Sequence, residues 1–250
     1  MAPFRIAVLE CDTPIDVIRA HHGTYGNIIK RLMEASLQES PAAGADIEPV
    51  FSSWDVVEAR QYPEVDEVDA LFLSGSKHNS FEDADWILQL CHFIRTFYET
   101  HKPIVGVCFG HQIVARALGA RVQRNPGGWE IAVNTIHLSD GGKELFGRES
   151  LQLHQMHRDA VLSLPAGLQN LGYSANCGIQ GLYQEKRVLT VQAHPEFDEF
   201  VMSHLLRARH ELGVFDDEMF EEAFSRADLA HDGLFVAAVI WRFLLERPSY

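Results

Sequence analysis

Two short stretches of this sequence carry residue types and spacings that could do covalent chemistry. The first is Gly106-Val107-Cys108-Phe109-Gly110, preceded by an apolar run from Lys102 and followed by a helical pattern that sets Ile113, Ala117 and Leu118 on one face. That order reads as strand, sharp turn, helix. A turn of this kind strains the backbone at its apex and wants glycine on both sides, where a Cβ would collide with strand or helix. Cys108 stands at the apex, over a helix N-terminus whose free N–H groups and dipole favour an anion. A thiolate is the nucleophilic form of cysteine, so Cys108 is the candidate nucleophile.

The second stretch is His194-Pro195-Glu196, directly after the buried-strand pattern Val188-Leu189-Thr190-Val191-Gln192-Ala193. A cysteine nucleophile needs a base, and the base needs a group that orients it. Residues two apart in an extended segment point to the same side, so Glu196 can hold the His194 imidazole in the tautomer that accepts the thiol proton. Acyl transfer also needs donors for the developing oxyanion. The backbone N–H of Gly75, at the end of its own strand, and that of Phe109, just after the nucleophile, are placed to offer them.

These residues must be positioned by a scaffold, and the chain has the pattern of one. Residues 4–10, 46–51 and 69–73 read as strands, 27–38 and 86–98 as helices, with Pro41-Ala42-Ala43-Gly44 closing the first helix. Residues 12–26, rich in His, Gly, Thr and Tyr, read as a long loop leaving the carboxyl end of a strand. Strand and helix alternate as far as the elbow, which implies parallel strands with helices on both faces. Beyond Arg121 the alternating stretches 131–138 and 151–156, punctuated by glycine pairs at 127–128 and 141–142, imply a partly antiparallel portion. Residues 200–246 read as helical. With no linker and no repeat, residues 1–250 are expected to form one domain, a core over about 4–200 and a helical layer after it.

Composition narrows the function classes. The 250 residues include 35 acidic and 21 basic side chains, a net charge of −14, which argues against nucleic acid as a partner. The longest apolar run, 234–241, is too short to span a bilayer, and the N-terminus reads as a strand rather than a signal peptide, so no membrane association is expected. A cytoplasmic location is expected, with the nucleus also open. The four cysteines form no C-x-x-C pair, which points to one reactive thiol and three buried ones in a reducing compartment. His154 and His157 fall in strand rather than helix, so no metal site is expected. No cofactor is expected either: neither G-x-G-x-x-G nor G-x-x-x-x-G-K-[ST] occurs.

Pro103-x-x-Gly106-x-Cys108-x-Gly110-x-Gln112 together with Ala193-His194-Pro195-Glu196-Phe197 resembles the class I (triad) glutamine amidotransferases, and within them the stand-alone proteins similar to the amidotransferase domain of GMP synthase. Ser74-Gly75-Ser76 lies where that family has its oxyanion segment, often G-G-P. Gly128-Trp129-Glu130 lies at a G-x-E segment, and His157-Arg158-Asp159 where GMP synthase-like members carry H-G-D. The resemblance covers about residues 4–200. It implies an α/β fold, a three-layer flavodoxin-like and mostly parallel sheet with a partly antiparallel extension and a helical C-terminal tail. It implies a γ-glutamyl thioester on Cys108, His194 as base and then acid, and Glu196 as its orienting group. Gln112, Trp129 and His157 would bind the substrate, which would be glutamine or a γ-glutamyl peptide, with a separate synthase subunit as a possible recipient of ammonia. Tyr25, Lys77, His78 and Trp129, at the rim, would select the leaving group. Two other readings stand beside this one: a silent regulatory protein keeping the fold, and a cysteine peptidase on a similar sheet using His111.

Overall fold

In the computed structural model, which describes residues 2–39 and 47–245, the strands are β1 (Ala2–Glu10), β2 (Ile47–Asp55), β3 (Ala70–Leu73), β4 (Ile104–Val107), β5 (Val122–Arg124), β6 (Glu130–Leu138), β7 (Ser150–His157), β8 (Asp159–Val161), β9 (Gln169–Asn170), β10 (Gly172–Tyr173), β11 (Gly181–Gln184) and β12 (Val188–Val191). The helices are α1 (Asp16–His22), α2 (Tyr25–Glu39), α3 (Asp85–Tyr98), α4 (Phe109–Ala117), α5 (Asp140–Phe146), α6 (Glu199–Glu211), α7 (Asp217–Phe224) and α8 (Gly233–Leu245). The expected helix stop at 41–44, the strand start at Asp46 and the helix end at Glu246 lie outside the described residues.

Seven strands make the main sheet in the order β2-β1-β3-β4-β12-β11-β9. The first five are parallel to their neighbours, and β11 and β9 extend the sheet antiparallel. The parallel strands are apolar on both faces, as a sheet covered on both sides requires. Leu71, Leu73 and Ile104 face a core shared with Trp86, Leu90 and Phe97 of α3 and with Ile113 of α4. Ala70, Phe72, Val105 and Val107 face the opposite core, against Ile29 and Met33 of α2 and Val236, Ile240 and Trp241 of α8. The molecule is thus three-layered, with α8 completing one outer layer. The antiparallel β6–β7 pair, joined by β10, stands beside the main sheet and is bridged to it where His154 meets His194.

Two segments differ from their sequence pattern. The stretch 12–26 is not all loop: α1 forms within it, burying Ile18 in the small core built by α6 and α7 and stacking His21 on Phe200 at 4.2 Å. Gly141-Gly142 is not a turn between strands but the first turn of α5. The Ser139 hydroxyl caps that helix by accepting from the Gly142 N–H, which contributes about 1 kcal/mol and offsets the glycine cost.

Candidate active site

The elbow is built as its glycines require. β4 delivers Cys108 to the start of α4, where the cysteine adopts φ 50°, ψ −104°, a region that costs a non-glycine residue on the order of 1–3 kcal/mol. Its N–H is held by Val191 O of β12 at 3.0 Å, and its carbonyl by the Gln112 N–H at 3.1 Å. A Cβ on Gly106 would come within 2.7 Å of the Gly110 carbonyl, and one on Gly110 would strike the Leu73 carbonyl. No larger residue fits either place while α4 stays this close to the sheet. All four cysteines are free and buried, but Cys108 lines a cavity of about 320 Å³ that none of the other three lines. Burial pushes the Cys177 thiol up to about 12 and raises Cys11 and Cys91 as well.

His194 lies just past β12. Its backbone N–H donates to His154 O at 2.8 Å, and its ring stacks on Phe197 with centroids 3.9 Å apart. Nδ1 is 2.7 Å from Glu196 Oε1, so Nδ1–H donates to the carboxylate and Nε2 is left for Cys108. Glu196 itself is buried, and its side chain is only 1% exposed. Burial alone would lower the His194 pKa. Cys108 first and Glu196 second, both acting on the ring, outweigh burial and raise it to about 10. The imidazole therefore holds a proton beside the sulfur.

β3 ends against this pair. A Cβ on Gly75 would lie 2.7 Å from His194 Cε1, so glycine is what lets the strand end close to the imidazole. The Ser74 hydroxyl donates to Gly75 O at 2.9 Å and accepts from the Cys11 N–H, while Ser74 O accepts from the Gly110 N–H at 3.1 Å. These bonds fix the Gly75 segment against α4. The Phe109 N–H, at the first position of α4, has no acceptor within the helix. Gly75 lines the cavity together with Cys108 and His194, and Phe109 directly follows Cys108.

The other expected site residues line the same cavity, in differing ways. Gln112 is fully engaged: Oε1 accepts from Ser80, and Nε2 donates to Asp159 O and Gln192 Oε1, both at 3.0 Å. Its amide ties three segments together at the wall of the cavity. His157 Nδ1 bonds Asp159 O at 3.0 Å, and its Nε2 is 3.1 Å from Glu130 Oε2, within ion-pair distance but without hydrogen-bond alignment. Glu130 is buried and also accepts from Ser174 and Gln180. Burial works to raise its pKa, but His157 and those hydrogen bonds hold it below the ordinary carboxylate value. Trp129 stands edge-on to Phe215, centroids 5.1 Å apart, and forms a wall of the cavity. Tyr25, Lys77 and His78 line it too, with Lys77 paired to Asp12 at 2.6 Å.

His111 is placed otherwise. It is fully buried, its Nδ1 lies 2.8 Å from Thr190 Oγ1, and it does not line the cavity. A base role for His111 is therefore unsupported. Arg158 and Arg209 also reach the cavity. Nothing in motif or spacing marks Arg209, which sits in an ordinary amphipathic helix beyond the H-P-E stretch. Among the described residues no group of three or more His, Cys, Asp or Glu is arranged to hold a metal ion, and no helix is long and apolar enough to cross a membrane.

The chain is 34% identical over 249 residues to a glutamine amidotransferase-like protein of Schizosaccharomyces pombe, covering 97% of this chain and 99% of that one. It is 30% identical over 164 residues to gamma-glutamyl peptidase 2 of Arabidopsis thaliana, covering 64% and 66% of the two chains. In three dimensions it resembles a glutamine amidotransferase from Thermotoga maritima, with a TM-score of 0.74 at 18% identity over 97% of this chain and 99% of that one, a likeness that concerns the fold. The family profile for Glutamine amidotransferase class-I matches residues 26–209, the span that holds the elbow, the H-P-E stretch and most of the cavity wall; the chain belongs to that family.

Proposed function

We propose that this protein hydrolyses a γ-glutamyl amide, with Cys108 as nucleophile, His194 as acid and base, and Glu196 as the group that orients His194. The observation that carries this reading is that Cys108 and His194 line one cavity of about 320 Å³, a size suited to a small ligand, with His194 bonded at 2.7 Å to Glu196 on its other side. The Cys108 sulfur attacks the amide carbonyl carbon, and the oxygen's developing charge is met by the N–H groups of Gly75 and Phe109. As the C–N bond breaks, His194 Nε2 gives its proton to the leaving nitrogen, leaving a glutamyl thioester. Water then loses a proton to Nε2 while its oxygen bonds the acyl carbon. The C–S bond breaks, glutamate leaves, and the thiolate is restored.

The leaving group is ammonia if the substrate is glutamine, or an amine if it is a γ-glutamyl peptide. The Arabidopsis relatives carry the name gamma-glutamyl peptidase, which supports the peptide reading. With glutamine, ammonia would pass to a separate synthase. We place the reaction in the cytoplasm, where four free cysteines stay reduced. The test is glutamate release from glutamine and from a panel of γ-glutamyl dipeptides, with Cys108→Ala and His194→Ala as controls. Release should fall to background in both variants while circular dichroism stays unchanged. Retained turnover in Cys108→Ala would overturn the nucleophile assignment. No release by the native protein, together with no labelling of Cys108 by a glutamine-analogue electrophile, would favour a regulatory role.

A further inference from the structure

Four Lys and Arg side chains line the cavity, in a protein of net charge −14. Two of them are neutralised: Lys77 by Asp12 and Arg124 by Asp159, each at 2.6 Å. Arg158 and Arg209 have no carboxylate in ion-pair range among the described residues. Arg158 lies over the face of Trp129, its guanidinium carbon 5.3 Å from the ring centre. Arg209, half-buried on α6, makes one long bond, to Leu205 O at 3.5 Å. A guanidinium carries five donors and cannot shed its charge. Leaving one sheltered without an anion is costly. Burial and the charge of Arg158 both work against the charge on Arg209, whereas Cys108 and Asp12 favour it, so the two arginines sit within electrostatic reach of each other and of the sulfur.

Beside Arg209 the rim is apolar. Ile15, Leu212 and Val214 line the cavity and are 37%, 78% and 43% exposed. A glutamyl chain, polar at both ends, has no use for these three. A leaving group that combines an anionic end with an apolar side chain uses both features.

We infer that Arg209 and Arg158 form a carboxylate-binding subsite at the cavity mouth, and that with Ile15, Leu212 and Val214 it receives the leaving residue of a γ-glutamyl peptide, one with a free carboxylate and an apolar side chain. The arginine fork suits a bidentate carboxylate. This inference rests on the γ-glutamyl hydrolase reading and names its substrate class.

The test compares γ-Glu-Leu, γ-Glu-Gly, γ-glutamyl-leucinamide, and γ-Glu-Leu whose glutamyl α-carboxylate is amidated. Glutamate or isoglutamine release is read for the native protein, and affinity is read by calorimetry on Cys108→Ala. Native kcat/KM should run in the order γ-Glu-Leu, γ-Glu-Gly, γ-glutamyl-leucinamide. In Arg209→Gln the ratio of γ-Glu-Leu to γ-glutamyl-leucinamide should fall about 10- to 100-fold, the range of a lost charge-assisted pair, with part of it restored in Arg209→Lys. Arg158→Gln, at an exposed position, carries the same ratio test if Arg209→Gln fails to fold. An unchanged ratio in both variants overturns the subsite. Loss of discrimination only toward the α-amidated compound keeps the carboxylate site but moves it to the glutamyl end, overturning the leaving-group assignment. If no compound is turned over, the hydrolase reading fails. The affinities of Cys108→Ala, with and without Arg209→Gln, then decide the subsite on their own.

Discussion

On the proposed mechanism, Cys108 and Glu196 together set the working range of His194. The imidazole is buried, which by itself disfavours its charge, and it keeps its proton up to about pH 10 because Cys108 and Glu196 outweigh that cost. Glu196→Gln removes the carboxylate while keeping a hydrogen-bond acceptor. His194 then loses its proton at lower pH, and the acid that serves the leaving nitrogen is lost with it. The alkaline limb of kcat/KM should move down by about 1–3 pH units, and the plateau should fall about 10²- to 10⁴-fold, less than in His194→Ala. An unmoved limb would show that Glu196 does not set the state of His194.

Each element carries part of the site, and the elements fail separately. α8 contributes no residue to the cavity, yet Trp241 is fully buried and its indole N–H donates to Met33 O of α2 at 2.8 Å. Trp241→Ala should cost about 3–5 kcal/mol in urea unfolding, and Trp241→Phe should cost less, since most of the volume remains. The folded fraction of either variant should keep native kcat/KM. A large change there would mean that α8 reaches the cavity by a route the packing does not show. α1 illustrates how packing overrides local pattern: its short stretch reads as loop from composition, but burying Ile18 against α6 and α7 makes it a helix. Once it forms, it sets Ile15 at the cavity rim.

For the whole molecule, the buried neutral histidines set acid stability. Burial first, and neighbouring histidines second, lower His111 and His154 to about 3. Between that value and the ordinary 6.5 the unfolded chain holds a proton that the native one does not, so stability rises with pH there. Each histidine contributes on the order of 1 kcal/mol per pH unit at most. His194 acts oppositely: its raised pKa gives stability that is fully present below 6.5 and lost as pH rises towards 10. Unfolding midpoints should therefore peak near neutrality and fall steadily from pH 6.5 to pH 4. His154→Gln should flatten the acid side of that profile. An acid slope identical in this variant and the native protein would assign acid unfolding to other groups.

The proposed trio could be picked out of the sequence because each part is local. A sharp elbow demands glycine at 106 and 110, and an extended His-Pro-Glu puts base and carboxylate on one side whatever surrounds them. The parallel core was legible too, since strands buried on both faces are apolar throughout. What the sequence could not settle depends on residues far apart. Gln112 became a tie among Ser80, Asp159 and Gln192 because three separate segments meet at its amide. Arg158, just past β7, and Arg209, on α6, line one cavity although they lie far apart in the chain. No spacing in the chain encodes that placement; only the packing of α6 against the rest brings Arg209 to the cavity and shelters its charge from water.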